Sequence, residues 1–264
     1  MIRVGTSGFS YTDWVGVYYP RDLPAAQRLA FYGAEFDAVE IDSSYYHMPT
    51  AASLAAITRH APERLVLTIK AHASITHERQ DLTASCRAFV EALAPWREQG
   101  RLGAVLAQFP YSFAFTPANQ DYVRALAEQM AGVPTVVEFR QAGWVRGKVF
   151  EMLRELGLGI CCADQPCLPK LPPPFAVLTS PIGYVRFHGR NAAKWWNHEQ
   201  PWERYNYAYT SEELDPWVPR IQKMATRAEV VYVFANNHWE GQAIDTARQL
   251  RLKLGLEPEH SDAN

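Results

Sequence analysis

The segment Tyr184-Val185-Arg186-Phe187-His188-Gly189-Arg190 alternates apolar and ionisable side chains. Successive side chains of a β-strand point to opposite faces, so Val185 and Phe187 share one face while Arg186 and His188 share the other. The apolar face needs a hydrophobic partner and the ionisable face needs polar partners. The segment therefore predicts a strand whose two sides meet different surroundings, and the rest of the chain decides what these are.

Short β-rich runs alternate with helical segments along the whole chain. Strands are predicted at residues 2–6, 38–42, 65–71, 103–109, 135–139, 159–163, 184–188 and 230–236, and helices at residues 25–36, 50–60, 83–99, 119–130, 148–156, after Ser211, and at 242–254. Such alternation is typical of βα units around a parallel sheet. Eight strands in 264 residues predict an α/β fold, a single (β/α)8 TIM-like barrel over residues 1–264 with a short polar tail from about residue 257. A doubly wound sheet is disfavoured because no Gly-x-Gly-x-x-Gly turn follows the first strand.

One helix is expected to be missing. Residues 165–181 contain six prolines and no helical periodicity. Proline removes a backbone donor and clashes inside helices, so the sixth helix is predicted to be absent or replaced by a proline-rich connection.

Composition limits the function classes. With 48% hydrophobic residues and a formal net charge of -2, the chain has no overall attraction to nucleic acid or anionic lipid. It contains neither a targeting signal nor the roughly 18 consecutive apolar residues of a membrane helix, which predicts a cytoplasmic protein without a membrane partner. Four cysteines in a chain of this size indicate free thiols rather than a disulfide framework.

Several predicted strands carry ionisable residues on one face. In a barrel the apolar face meets the helices, so the polar face points inward. This parity predicts a formally neutral inner ring of Glu40, Lys70, Glu138 and Arg186. Nearer the barrel mouth it predicts a second polar set: Asp42, Arg140, Asp164, His188 and Asn236. Cys162 shares a strand face with Asp164 and would lie below it. The ring is either a buried ion network without chemistry or part of a ligand site, where perturbed ionisable groups are common.

Loops after the strand ends add further candidates. Thr6 and Ser7 lie in a small turn that would cradle an anion or serve only as a tight turn. Aromatic residues interleaved with cations over residues 190–209 suit stacking on sugars or bases, and equally a self-packed cap or a protein interface. The remaining loop candidates for ligand binding are Tyr45, His77, Trp144, Arg190, Asn236, Asn237 and His238.

No cofactor is predicted. A divalent metal on Glu138, Asp164 and His188 is the alternative, because carboxylates and imidazole are metal ligands. Arg140 and Lys70 would place positive charge beside such an ion, which disfavours it.

These motifs resemble the YecE-like family, also called domain of unknown function 72. The resemblance covers nearly the whole chain through residues 5–11, 39–46, 70–77, 137–140 with Trp144, 184–190, and 236–238 with Gly241. It implies a TIM-like barrel, but the family has no settled activity to carry over. Gln141 departs from the family, which commonly has histidine there, so an acid–base role at that position is doubtful.

We interpret the chain as an enzyme that binds an anionic, hydroxyl-rich ligand, a phosphosugar or nucleotide, at the barrel mouth. Glu138 and His188 are predicted to perform acid–base chemistry with Asp164 and Lys70 as further catalytic candidates, and Lys70 could instead form a Schiff base. Ligand contacts are predicted for Glu40, Arg140, Arg186 and Arg190 together with the loop candidates. A hydrolase or an isomerase or lyase is favoured over other reaction classes. The alternatives are a nucleic-acid-binding or endonuclease-like barrel and a non-catalytic binding module, and the oligomeric state stays open.

Overall fold

Eight parallel strands form a closed barrel in the computed structural model, which describes residues 1–59 and 61–256. The strands are β1 Ile2–Ser7, β2 Ala38–Ile41, β3 Val66–Lys70, β4 Leu102–Gln108, β5 Thr135–Glu138, β6 Gly159–Asp164, β7 Ile182–Phe187 and β8 Val230–Ala235. Each strand pairs with its neighbour in the sequence, and β8 pairs with β1 to close the ring. The predicted single (β/α)8 barrel is confirmed, while the predicted tail from about residue 257 lies outside the described residues.

The helices surround this barrel. They are α1 Arg28–Glu35, α2 Ala51–Arg59, α3 Leu82–Ala92, α4 Ala94–Glu98, α5 Pro117–Gln129, α6 Gly147–Glu155, α7 Ser211–Leu214, α8 Val218–Ala225 and α9 Gln242–Lys253. The helix predicted at residues 83–99 is divided into α3 and α4, because Pro95 is tolerated only in the first turn of a helix. No helix lies between Asp164 and Ile182, all of which the structure describes, so the predicted proline-rich replacement of the sixth helix is confirmed.

The barrel has two cores with different compositions. Strand side chains of one parity pack against the helices, as Val185 and Phe187 do. Side chains of the other parity fill the lower lumen: Ala38, Ala104, Leu106, Val136, Cys161, Tyr184, Tyr232 and Phe234. Above this apolar plug, toward the carboxyl ends of the strands, the lumen becomes charged. The plug therefore sets the depth of any site at the mouth.

Helix α1 is fastened to the barrel through one tyrosine. The Tyr32 hydroxyl accepts a hydrogen bond from the Thr6 backbone N–H at 2.8 Å and donates to the Ala38 carbonyl at 3.1 Å. The Thr6 side chain contacts the same hydroxyl, so it points toward the helix layer. Gly5 permits this approach, since a Cβ there would lie 1.9 Å from the Ala38 oxygen. Among the helices of the described residues, none is long and apolar enough to cross a bilayer.

Candidate functional site

The Arg186 guanidinium occupies the centre of the charged lumen. Its Nη2 donates to Glu40 Oε1 at 2.6 Å and to Ser7 Oγ at 3.2 Å, and its Nη1 donates to Glu138 Oε2 at 2.8 Å. The other oxygen of Glu40 accepts from the Tyr184 hydroxyl at 2.6 Å. All of these groups are buried, so Arg186 pairs with two carboxylates that have lost their hydration.

The second oxygen of Glu138 serves two more groups. Arg140 Nε lies 2.6 Å from Oε1 in an ion pair whose angle does not meet the geometry of a hydrogen bond, and His188 Nε2 lies 3.1 Å from the same atom. Although burial opposes ionisation, the Arg140 and Arg186 cations hold the pKa of the Glu138 carboxyl well below its usual range. Glu138 is therefore a fixed carboxylate that positions both arginines.

His188 has both ring nitrogens engaged. Asn236 Nδ2 donates to His188 Nδ1 at 2.9 Å, which leaves the imidazole proton on Nε2 facing Glu138. Burial and the Arg140 cation lower the pKa of His188 to about 3, so the ring is neutral at physiological pH. The histidine is completely buried. These contacts suit a residue that orients Glu138 better than one that exchanges protons with a ligand.

Lys70 differs from the two arginines because it has no anionic partner. Its ammonium lies 4.2 Å from the centre of the Tyr45 ring, and it forms no salt bridge with any carboxylate in the described part of the chain. Burial and the nearby Arg186 and Arg140 cations lower the pKa of Lys70 to about 8. Lys70 is thus a cation at the mouth without a salt-bridge partner among the described residues, although the Glu138 and Glu40 carboxylates act on its charge from a greater distance.

The charge of the upper lumen follows from these contacts. Lys70, Arg140 and Arg186 supply three cations against the carboxylates of Glu40 and Glu138, with His188 neutral, and Asp42 adds a third carboxylate to the wall of the larger cavity. The four-residue ring predicted from the sequence remains formally neutral, and Arg140, which was predicted to lie above it, contacts Glu138 and adds a further cation. The smaller cavity is lined by Lys70 and Arg140 and by no carboxylate among the described residues, so its potential favours an anion.

Two adjoining cavities open at the mouth above these cations. The larger has a volume of about 480 Å³ and the smaller about 350 Å³. Their shared lining comprises Tyr46, Lys70, Gln108, Arg140, Pro201 and Tyr205. Asp42, Asn236 and His238 add polar groups to the larger cavity, whereas Tyr45, His77 and Trp196 line the smaller one. Volumes of this order suit a small metabolite.

The aromatic segment predicted to lie at the mouth does so. Trp202 stacks on Trp239 at a ring separation of 3.6 Å, and Trp196 contacts Tyr111 edge-to-face at 4.9 Å. Trp196 is 52% exposed and Tyr46 is 72% exposed, so both keep ring surface available beside the cavities.

Asp164 was placed wrongly by the sequence. It accepts hydrogen bonds from Tyr209 Oη at 2.6 Å and Trp217 Nε1 at 2.7 Å, and from Arg190 at 2.8 and 2.7 Å, all on the helix side of the barrel. The register with β7 sets Asp164 beside Phe187, which faces outward, so Cys161 rather than Cys162 enters the lumen. Because β6 is apolar on both faces, the alternation of polar and apolar residues could not indicate which of its side chains point into the lumen.

Other predicted ligand residues also lie away from the cavities. Trp144 is fully buried, stacks on Phe139 at 4.1 Å and donates to the Phe113 carbonyl, so it belongs to the core. Asn237 donates to Tyr207 and Thr246, and Arg190 is committed to Asp164 and Glu213. These three residues, with Thr6 on the helix side, stabilise the walls and the loop after β7.

The structure also adds lining residues that the sequence did not select, chiefly Gln108 and Tyr11. Gln108 ends β4, a strand that is apolar on both faces, and only its position at the strand end could have indicated it. Tyr11 stacks on His238 at 4.4 Å and donates to Asp42 at 3.2 Å.

Comparison with known proteins gives the family. The model described as "Protein of unknown function DUF72" matches residues 3–264. The chain belongs to the DUF72 family. The resemblance to the YecE-like family is thereby confirmed, since both names denote one family.

Several relatives of this DUF72 chain match nearly its whole length. It is 28% identical over 273 residues to the UPF0759 protein YunF of Bacillus subtilis strain 168, covering 97% of this chain and 96% of YunF. The DUF72 protein TM1631 of Thermotoga maritima superposes with a TM-score of 0.89 at 37% identity, covering 97% of this chain and 99% of that one. EF0366 of Enterococcus faecalis V583 gives a TM-score of 0.85 at 27% identity, covering 99% of this chain and 100% of that one.

A metal set of Glu138, Asp164 and His188 is not assembled in this DUF72 barrel, because Asp164 faces the helix layer. Within residues 1–59 and 61–256, no three histidine, cysteine, aspartate or glutamate side chains meet in an arrangement that could hold a metal ion.

Proposed function

We propose that this protein is an enzyme whose barrel mouth binds an anionic, hydroxyl-rich small molecule, a phosphosugar or a nucleotide. The observation that carries the proposal is Lys70, a cation without a counter-ion on the floor shared by two cavities. Holding such a charge in a partly buried site is costly unless a ligand compensates it.

Arg140 supports the same conclusion. Its Nε contacts Glu138, yet its terminal nitrogens donate to no acceptor among the described residues, although the side chain is only 12% exposed. A guanidinium held from one side presents a planar pair of donors to the other, which matches phosphate or carboxylate oxygens. The ligand's anionic group is accordingly assigned to the space between Lys70 and Arg140.

The larger cavity favours a ligand with hydroxyl groups. Asp42, Gln108 and Asn236 supply donors and acceptors, and the buried Nδ1 of His238 has no partner among the described residues. Trp202 and Tyr205 line the same space with aromatic surface on which a sugar or base can stack.

For proton transfer, we assign the leading role to Lys70. A pKa of about 8 makes this amine able to give or take a proton near neutral pH, and it faces the cavity. Glu138 and His188, to which the sequence pointed, are instead positioning residues: Glu138 holds Arg140 and Arg186, and His188 orients Glu138. A hydrolase and an isomerase or lyase both remain within the proposal.

Calorimetry tests the binding step, with inorganic phosphate, ribose-5-phosphate and AMP as probes. We expect the phosphosugar or the nucleotide to bind at least about tenfold more tightly than inorganic phosphate, because each also fills the larger cavity. Lys70→Met removes the charge but retains an unbranched stem, and should weaken binding by about tenfold or more. Lys223→Met, an exposed lysine of α8, is the matched control and should leave binding unchanged.

Failure of all three probes to bind at roughly 10 mM, or equal affinities for the native protein and Lys70→Met, would refute the proposal. Single- and double-stranded oligonucleotides in the same assay address the nucleic-acid alternative. Tight oligonucleotide binding that weakens steeply with salt would indicate that the site binds a nucleic acid rather than a small molecule.

A further inference from the structure

Lys70 is set apart from the other five lysines of the chain by its surroundings. Lys194 pairs with Glu203 and Lys253 with Asp215, while Lys148 lies over the Phe115 ring and both Lys170 and Lys223 are exposed. Lys70 alone among the described lysines lines the two mouth cavities. Its amine is therefore presented to a ligand bound in the cavities at the mouth.

The neighbours of Lys70 favour a reactive amine. Arg140 and Glu138 from the end of β5, Arg186 from β7 and Glu40 from β2 are the charged groups that act on it, and Tyr45 and His77 flank its ammonium. Burial and the two arginines keep the pKa of Lys70 near 8, so about a tenth of the molecules carry a neutral amine at pH 7. Desolvation beside other cations is a known way to activate lysine as a nucleophile.

We propose that Lys70 condenses with a carbonyl group of the bound anion to form a protonated Schiff base. This inference rests on the proposed function, because it uses the same anion site to hold the substrate. The lysine nitrogen forms a bond to the carbonyl carbon, the bond between that carbon and its oxygen breaks, and the oxygen leaves as water with two of the three ammonium protons. The iminium keeps the positive charge, so no external acid, base or oxidant is consumed.

The arrangement specifies a substrate class. The substrate carries an anionic group for Arg140, an aldehyde or ketone within reach of Lys70, and hydroxyls for the larger cavity. Small sugar phosphates with an open carbonyl meet all three requirements. An iminium withdraws electrons from the adjacent carbon, which permits bond cleavage or proton loss there and narrows the reaction to the lyase or isomerase class.

Reductive trapping tests the inference. Full-length protein is incubated with dihydroxyacetone phosphate and sodium cyanoborohydride, which reduces an iminium to a stable secondary amine, and the six lysines are then mapped by peptide mass spectrometry. We expect Lys70 to be labelled at least about tenfold faster than Lys223, and its rate to rise from about pH 6 to about pH 8 as the amine loses its proton. Uncharged dihydroxyacetone should label Lys70 far more slowly, because it lacks the anionic group.

Two variants separate this inference from the proposed function. Lys70→Arg keeps the cation but cannot form a Schiff base, so it should retain phosphate binding by calorimetry and lose the label. Lys70→Met should weaken phosphate binding by about tenfold or more and lose the label. A protein that binds inorganic phosphate through Lys70 but is labelled evenly over its surface lysines, or not at all, would overturn the Schiff base and leave the anion site standing. Absence of both binding and label would overturn the anion site as well.

Discussion

The Arg186→Met substitution tests whether the charged lumen is held together by one guanidinium. In the native protein Arg186 donates to Glu138 at 2.8 Å and to Glu40 at 2.6 Å, and all three are buried. Removing one partner of a buried ion pair typically costs about 3–5 kcal/mol. Two carboxylates lose a partner here, but Glu138 retains Arg140 and Glu40 retains the Tyr184 hydroxyl. We therefore expect the free energy of unfolding to fall by about 4 kcal/mol at pH 7.

The loss should depend on pH. In the native protein the pKa of Glu138 is depressed, so its stabilising contribution is present above the unfolded pKa and is lost as pH falls through the lower folded value. Without Arg186, less positive charge opposes the effect of burial, which raises the pKa of the lumen carboxyls. Protonation of one of them then removes the uncompensated negative charge. The difference in stability between variant and native protein should consequently shrink as the pH is lowered from about 7 to about 5.

Urea unfolding followed by tryptophan fluorescence measures this difference. Arg227→Met, at an exposed site, is the matched control. The double variant Arg186→Met/Glu40→Gln removes one carboxylate that has lost its partner, so its free energy of unfolding should exceed that of Arg186→Met by about 1–2 kcal/mol. A loss below about 1 kcal/mol at pH 7, or a deficit that is the same at both pH values, would refute the account of the lumen as an Arg186-centred ion network.

Three further outcomes follow from other contacts. Because the pKa of His188 in the folded protein is lowered to about 3, its imidazole should stay neutral in NMR spectra down to about pH 5. As the pH falls below about 6.5, the pKa of histidine in the unfolded chain, the free energy of unfolding should decrease by up to about 1.4 kcal/mol per pH unit. A ring that titrates near pH about 6.5 would contradict the buried neutral tautomer. Gly5→Ala should destabilise by about 3 kcal/mol or more in urea unfolding, since its Cβ would lie 1.9 Å from a backbone oxygen, whereas Gly147→Ala, with open space, should be tolerated. Asp164→Asn breaks the buried pair with Arg190 and should speed limited proteolysis within residues 190–209; unchanged cleavage would show that Asp164 does not anchor this loop.

Much of the barrel could be predicted from local pattern. The alternation of strand-like and helical segments identified eight βα units, and the prolines of residues 165–181 indicated the missing helix. Where apolar and polar residues alternate, as in Glu138 and Arg140 or Arg186 and His188, the inward face was also identified correctly. These features depend on neighbours within a few residues, which is the range over which strand parity and helix formation act.

Tertiary structure alone decided the inward face of β4 and β6 and the pairing of the charges. Both strands are apolar on each face, so only the register with β7 shows that Asp164 leaves the lumen while Cys161 enters it. The sequence supplied the ionisable residues of the mouth, yet Arg140 neutralises Glu138 and Lys70 stays without a counter-ion because of the positions of strands that are far apart in sequence. Coulomb energy and desolvation depend on distance and burial in space, and closure of the barrel is what sets both.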